Sequence, residues 1–287
     1  MFPDLSSRYH AELLAERERV AQSGSFRDKV RYDLVERPTY ACGLLMAADM
    51  ARYCGISHIT AIEFGVAEGK GLLNLCQLAD AVTTETGVGI SIVGFDTGAG
   101  LPHLADHRDH PEIWSPGDFA GVDKAALEHA IAPHGRMVWG EIADTIPQEI
   151  PKLSADAPLG FVSLDVDLYH STFSAMKIFN APAATLLPVV ISYFDDTLGS
   201  PARIGSLFRN RWCGQLAAID DFNAQHQARK VDSLRTLKAR RPLDRELWLD
   251  QMYGLHVLDH PLRQVGATRP ALKMHDHGAH DIMAWPL

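Results

Sequence analysis

The sequence predicts an α/β protein built on a doubly wound, mainly parallel β-sheet. Strand-like and helix-like segments alternate between residues 56 and 196, and the strand-like segments are nearly continuous apolar runs. Such runs are typical of parallel strands covered on both faces of the sheet. A glycine-rich turn, EFGVAEGKG at 63–71, joins the first strand to the helix after it. Because ligands of doubly wound sheets bind at the carboxyl ends of the strands, the residues that follow each strand are the candidates for a site.

Apolar periodicity and turn residues predict the individual elements and their grouping along the chain. Strands are predicted at 58–65, 91–96, 136–141, 159–167, 186–196 and within 251–260. Helices are predicted at 7–22, 39–55, 70–86, 116–135, 170–184 and 214–227. The basic segment 228–246 is expected on the surface. We expect one domain overall, with an N-terminal helical cap at 1–55, a ligand-binding core at 56–200, and a C-terminal part at 201–287 that completes the sheet and extends it.

Composition narrows the class of protein. The chain has 287 residues, of which 46% are hydrophobic and 22% charged, as in ordinary globular proteins. A net charge of −9 without a long basic run argues against nucleic acid as a partner. The N-terminus is charged and helical in pattern, and no apolar stretch approaches the roughly 18 residues of a membrane span. The four cysteines lack CxxC spacing and are expected to be free, buried thiols. We therefore expect a cytoplasmic protein with no membrane partner, and a homo-oligomer is left open.

Three ligand classes can be weighed for the turn at 63–71. A phosphate loop requires GxxxxGK followed by Ser or Thr, but Gly65 and Gly69 are one residue too close and Gly71 follows Lys70. A dinucleotide fingerprint requires GxGxxG, and the spacing here is GxxxGxG. The third class is S-adenosylmethionine, whose turn has an acid two residues before the first glycine, as Glu63 is here. This cofactor carries a sulfonium and an ammonium but no phosphate. The simpler alternative is an ordinary tight strand-to-helix turn.

The ends of the second and third strands add weight to the cofactor prediction. Asp96 ends the second strand, where an acid can accept hydrogen bonds from both ribose hydroxyls of an adenosine. Its alternative role is to cap the turn DTGAG that follows. Glu141 ends the third strand, where this fold usually contacts adenine through the backbone. The predicted cofactor-binding residues are Glu63, Gly65, Gly69, Gly71, Asp96, Thr97, Glu141 and Ile142.

Four aspartates follow the fourth and fifth predicted strands. Asp165 and Asp167 close the run LGFVSLDVD, and Asp195 and Asp196 close LLPVVISYFDD. If the strand reaches Asp167, Asp165 and Asp167 point to the same side. Carboxylates that meet at one edge repel each other, and a hard divalent cation such as Mg²⁺ relieves that repulsion. The alternative is a set of solvated loop acids, which is less favoured because acids directly after apolar strands are costly to place.

Three further motifs, in this order after the glycine-rich turn, carry a family resemblance: GFDTGAGLP (94–102), SLDVDLYHST (163–172) and YFDD (193–196). Together they resemble the macrocin O-methyltransferase family of class I methyltransferases, over roughly residues 56–196. The resemblance implies a Rossmann-like fold and Mg²⁺-dependent methyl transfer from S-adenosylmethionine to a hydroxyl of a small molecule. Family acceptors are sugar hydroxyls of natural products. It also implies the metal ligands Asp165, Asp195 and Asp196.

The chain departs from the family at positions that concern the acceptor. The family's tryptophan-containing loop after the first glycine is replaced by VAEGKG, and Thr197-Leu198 follows the acid pair where the family has an aromatic residue. Methyl transfer to oxygen is therefore implied more strongly than any particular acceptor. The alternatives are a methyltransferase that acts on nitrogen or another nucleophile without a catalytic metal, a non-catalytic scaffold that binds an adenosine ligand, and a metal hydrolase.

The predicted catalytic residues are Asp167 as the base and His170 as the second candidate. The alternative is that the roles of metal ligand and base are reversed or shared between Asp165 and Asp167. Two histidine clusters, HLADHRDH at 103–110 and HDHGAH at 275–280, are predicted to be surface loops rather than zinc sites. A lesser alternative for the first cluster is a loop over the substrate, with His103 and Trp114 as contacts.

Overall fold

A computed structural model describes residues 5–198, 204–238, 241–243 and 245–268 of the chain. Within these residues seven strands form one sheet: β1 (His58–Phe64), β2 (Gly89–Asp96), β3 (Gly135–Trp139), β4 (Leu159–Leu164), β5 (Leu186–Phe194), β6 (Arg229–Ser233) and β7 (Met252–Val257). The strand order is β3-β2-β1-β4-β5-β7-β6. The first five strands are parallel, and β7 runs antiparallel to both β5 and β6. The predicted doubly wound sheet is confirmed.

The α-helices of the described residues are α1 (Leu5–Ser23), α2 (Phe26–Arg31), α3 (Pro38–Tyr53), α4 (Lys70–Thr86), α5 (Lys124–Ile131), α6 (Ile142–Glu149), α7 (Tyr169–Ala175) and α8 (Gly214–Gln225). Those from α3 onward cover both faces of the sheet, whereas α1 packs on α2. One apolar core joins α3, α4 and α5 to the sheet, and a second core joins α6, α7 and α8 to its other face. Successive residues of a strand point to opposite faces of the sheet, and in β1 Ala61 therefore belongs to the first core and Ile62 to the second. Among the described residues, no helix has both the length and the apolarity that crossing a membrane requires.

The helix predicted at 116–135 is shorter in the structure. It begins only at Lys124, because the Asp123 side chain accepts a hydrogen bond from Ala126 N at 3.1 Å and so caps the first turn. The helix predicted at 170–184 also ends early, at Ala175, and continues as 3-10 turns.

The surface prediction for the basic segment 228–246 is wrong in part. Its first residues form β6, and Arg229 is buried and donates to the backbone carbonyls of Phe179 and Ala181. Arg241 is buried as well and donates to the Val30 carbonyl at 3.0 Å. Both guanidinium groups also pair with carboxylates, Arg229 with Asp259 and Arg241 with Asp33. A basic composition therefore did not mean a solvated surface here.

The four cysteines are free, as predicted. Cys42 and Cys76 are buried, whereas Cys54 and Cys213 are only half-buried. The prediction that the cysteines are buried is therefore confirmed for Cys42 and Cys76 but not for the other two.

Candidate functional site

An open cavity of about 360 Å³ lies at the carboxyl ends of the central strands. Seven of the eight residues predicted to bind a cofactor are on its wall: Glu63, Gly65, Gly71, Asp96, Thr97, Glu141 and Ile142. The eighth, Gly69, has a φ of +92° at the start of α4, where an added Cβ would come within 2.7 Å of Leu127 Cδ1. Gly69 thus shapes the turn rather than the wall. One cavity therefore collects nearly all the residues that the sequence motif singled out.

The glycine-rich turn is anchored to the strand-two acid. Asp96 Oδ2 accepts hydrogen bonds from Val66 N at 2.8 Å and Ala67 N at 2.9 Å, and Asp96 Oδ1 accepts one from Gly98 N at 2.6 Å. Asp96 therefore does cap its own turn, and it also holds the turn after β1. Each carboxylate oxygen can accept more than one hydrogen bond, so this arrangement is compatible with a ligand hydroxyl.

Glu63 is a buried acid with one unused oxygen. Its Oε1 accepts a hydrogen bond from the Tyr40 hydroxyl at 2.7 Å, and Ser163 Oγ donates to that hydroxyl at 3.0 Å. Its Oε2 has no hydrogen-bond partner among the described residues. A Cβ on Gly71 would lie 2.3 Å from Glu63 Oε1, so only glycine leaves room for the acid there. Burial raises the pKa of Glu63 to about 7. A cationic ligand group would satisfy the free oxygen and favour the ionised acid.

Three of the four downstream aspartates converge. Asp165 follows β4, Asp195 and Asp196 follow the neighbouring strand β5, and one carboxylate oxygen from each lies within 4.8 Å of the others. Burial, followed by the nearby acids, raises the pKa of Asp165, and burial also raises the pKa of Asp196. Asp196 Oδ2 is buried without a hydrogen-bond partner among the described residues. Three carboxylates with an unused oxygen are a donor set that fits Mg²⁺.

Asp167 reaches the cavity by a different route from the one predicted. Because β4 ends at Leu164, Asp165 and Asp167 lie in a turn, and the prediction of a strand through Asp167 is wrong. Asp167 has a φ of +58°, in the left-handed region that residues other than glycine rarely adopt. Burial, and then the charge of Asp196, raises the pKa of Asp167 to about 8. Both Asp165 and Asp167 line the cavity despite the early end of the strand.

Arg209 is a site residue that the sequence reasoning missed. Its Nη2 lies 2.7 Å from Asp196 Oδ1, and its Nη1 donates to the Asp196 backbone oxygen at 2.6 Å. Gln215 fixes the same region, since its side chain accepts from Asp196 N at 2.8 Å and donates to Leu164 O at 2.9 Å. The acidic cluster therefore has an internal cation. No sequence motif indicates Arg209, because its contact with Asp196 depends on how the chain after β5 folds back.

His170 is not brought to the cavity wall. Its Nδ1 lies 2.9 Å from Asp109 Oδ2, and Asp109 is fully buried. The same carboxylate accepts hydrogen bonds from His170 N at 3.0 Å and Ala105 N at 2.8 Å. His170 thereby joins the segment 105–109 to the start of α7.

The first histidine cluster is only partly a surface loop. His103 is exposed, but His110 is buried and its Nδ1 lies 2.7 Å from Glu112 Oε1. Trp114 lies 5.8 Å, between ring centroids, from Phe119, which is on the cavity wall. In the described part of the chain the histidines form no group of three potential metal ligands. The second cluster, at 275–280, lies outside the described residues.

Comparison with known proteins gives structural similarity only. No protein-family model matches the chain, and no curated protein sequence matches it. The chain is similar to the structure of CalS11, a calicheamicin methyltransferase, with 21% identity over 74% of this chain and 77% of that chain and a TM-score of 0.48. It is similar to cofactor-bound Rv0187 from MTB, with 13% identity over 90% and 91% of the two chains and a TM-score of 0.40. It is also similar to the SAH-bound methyltransferase PaMTH1 of Podospora anserina, with 14% identity over 90% and 97% and a TM-score of 0.41. At these identities, function has to be argued from the residues of this chain.

Proposed function

We propose that this protein is a Mg²⁺-dependent, S-adenosylmethionine-dependent O-methyltransferase that acts on a hydroxyl of a small molecule. A sugar or a glycosylated natural product is the candidate acceptor, from the resemblance of the motifs. The observation that supports the proposal most directly is the close packing of Gly65 against Asp165. A Cβ built on Gly65 would lie only 1.7 Å from the Asp165 backbone oxygen. The cofactor-type turn is thus packed directly against the residue that begins the acidic cluster. Such a junction would place a methyl donor held by the turn next to an acceptor held at the acidic cluster.

Different wall residues bind different parts of the cofactor. Glu63 binds the ammonium group through its unused oxygen, and Asp96 accepts hydrogen bonds from the ribose hydroxyls. Thr97 lines the ribose side, with its hydroxyl donating to Gly100 O at 2.8 Å. Glu141 and Ile142 form the wall against the adenine. Gly65 and Gly71 leave room for the Asp165 backbone oxygen and for Glu63 Oε1, and Gly69 shapes the turn that leads into α4.

The acidic residues have two roles toward the acceptor, which are metal binding and proton transfer. Asp165, Asp195 and Asp196 are the residues that would hold Mg²⁺. When bound, the cofactor supplies an electrophilic methyl group and the metal lowers the pKa of an acceptor hydroxyl. Asp167 takes the hydroxyl proton, because it is the acid on the cavity wall beside the cluster that is not one of the three grouped ligands. The cavity holds both reactants next to each other, which is where much of the rate enhancement arises.

Isothermal titration with S-adenosylhomocysteine, with and without Mg²⁺, is the first test. Binding of the cofactor product with an affinity in the micromolar range supports the proposal, and no binding refutes it. Methyl transfer to a panel of hydroxylated acceptors is then measured with and without a chelator. Activity that survives the chelator identifies a metal-independent methyltransferase instead, and binding without turnover on any acceptor favours a non-catalytic scaffold. Asp195→Asn is expected to lose activity while it keeps the fold.

A further inference from the structure

The cavity wall contains two cationic side chains, which are placed very differently. Lys70 Nζ is paired with Glu68 Oε2 at 2.6 Å, and 79% of the lysine side chain is exposed. Arg37 is half-buried, and none of the ion pairs found among the described residues includes it. Lys70 is therefore exposed and already paired, whereas Arg37 lines the cavity without an ion-pair partner among the described residues.

Arg37 is held beside the buried acid of the cofactor wall. It directly precedes Pro38, the first residue of α3, and its guanidinium carbon lies 5.3 Å from the centroid of the Tyr40 ring. The hydroxyl of the same tyrosine binds Glu63 Oε1. Arg37 is close enough to Glu63 for its charge to act on the acid, yet the two do not form an ion pair. A cation and an acid thus lie on the wall with hydrogen-bonding capacity to spare on each.

We propose that Arg37 binds the carboxylate at the methionine end of S-adenosylmethionine, while Glu63 binds the ammonium on the same carbon. This assignment rests on the proposed function. An α-amino acid is a zwitterion, so its receptor needs both signs of charge next to each other. Apart from Lys70, which is paired with Glu68, the other ionisable side chains of the wall are acids, among them Asp96 and Glu141, and these offer no partner for a carboxylate. The planar guanidinium can donate two parallel hydrogen bonds to a carboxylate.

The assignment makes α3 part of the cofactor site rather than only a cap on the sheet. Arg37 belongs to the N-terminal segment, whereas Glu63 and the glycine-rich turn belong to the core. Binding of the amino-acid group therefore joins the two parts of the chain. A ligand that lacks the carboxylate would make contact with the core alone.

The test compares a ligand that has the carboxylate with one that lacks it. Wild type, Arg37→Met, Arg37→Lys and Lys70→Met are titrated calorimetrically with S-adenosylmethionine and with decarboxylated S-adenosylmethionine. A charged hydrogen bond of this kind predicts that Arg37→Met weakens S-adenosylmethionine binding about 10- to 100-fold. Binding of the decarboxylated ligand stays unchanged in that variant. Arg37→Lys retains part of the affinity, and Lys70→Met, the matched control on the same wall, leaves both affinities unchanged.

The outcomes separate this assignment from the proposed function. Normal binding by wild type with an unchanged affinity in Arg37→Met overturns the role of Arg37 alone. An equal loss for both ligands in a folded Arg37→Met protein also overturns it, because a general structural effect does not depend on the carboxylate. Failure of wild type to bind either ligand overturns the proposed function and this assignment together. Thermal melting establishes that each variant is folded, and Arg37→Lys allows the same comparison if Arg37→Met does not fold.

Discussion

Arg209 Nη2 lies 2.7 Å from Asp196 Oδ1, while the other carboxylate oxygen of Asp196 is buried without a partner among the described residues. One oxygen of this acid thus serves an internal cation, and Asp196 also contributes a carboxylate oxygen to the cluster formed with Asp165 and Asp195. A single guanidinium cannot balance several neighbouring acids. The raised pKa values of Asp165 and Asp167 reflect burial first and then that excess of negative charge.

Replacing Arg209 should have opposite effects on stability and on metal affinity. Breaking a buried ion pair leaves an uncompensated charge, so Arg209→Met should destabilise the metal-free protein by about 3 kcal/mol. The same change removes a competing cation, so Mg²⁺ should bind about tenfold more tightly. Thermal unfolding and calorimetric titration measure the two effects. Arg211→Met is the control, because Arg211 forms an exposed pair with Asp220 and its loss should change neither quantity. Weaker Mg²⁺ binding in Arg209→Met would contradict this account.

Binding of Mg²⁺ should release protons near neutral pH. In the metal-free protein the pKa of Asp167 is about 8 and that of Asp165 is raised, so these acids hold protons that an adjacent cation would displace. The affinity for Mg²⁺ should therefore rise between about pH 6 and about pH 8. Titrations in two buffers with different ionisation enthalpies count the protons released. An affinity that does not change over this range would show that the acids are already ionised without the metal.

Asp167 and His170, the two candidate bases, should respond differently to substitution. Asp167→Asn removes the carboxylate on the cavity wall and should lower kcat by about 10²- to 10⁴-fold with the fold intact. His170→Ala removes the hydrogen bond to buried Asp109 and should lower stability by about 1–3 kcal/mol, because that bond joins a loop to α7. It should leave kcat within about tenfold of wild type, less than the loss of a general base would give. Steady-state kinetics and thermal melts of both variants check this. The reverse ranking of kcat would assign the base to His170.

Stability of the ligand-free protein should fall as the pH rises through the titration of Glu63. The folded protein holds a proton on this acid up to about pH 7, whereas the unfolded chain releases it near the ordinary value of 4.5. The folded state therefore binds more protons between these values, and its stability declines across that window. Glu63→Gln removes the effect and should be more stable than wild type at about pH 8, by an amount on the order of 2–3 kcal/mol. Denaturant unfolding at about pH 5 and about pH 8 measures it. A difference between variant and wild type that is the same at both pH values would be inconsistent with a buried, protonated Glu63.

Local patterns predicted the sheet well because each strand is an apolar run closed by a polar residue. The same logic placed Glu63, Asp96 and the downstream aspartates at one edge, since parallel strands end together. The positions of Arg209, Arg37 and Asp109 could not be predicted in this way. Asp109 contacts His170, 61 residues away, while the placements of Arg209 and Arg37 depend on how the segments after β5 and before α3 pack, and none of this leaves a spacing pattern. The extent of β4 was misjudged for a related reason, because a left-handed residue at Asp167 has no signature in an Asp-Val-Asp sequence.

The close approach of Gly65 to the Asp165 carbonyl packs the glycine-rich turn at 63–71 against the acidic cluster, so that the two form one rigid unit. Any side chain at position 65 would push the two apart, so this position cannot vary independently of either. Phe119 and Trp114 lie on the loop between β2 and α5, outside that unit. Under the proposed function, this loop, which adds Phe119 to the cavity wall, is where we expect acceptor preference to change and where engineering of a new acceptor should begin.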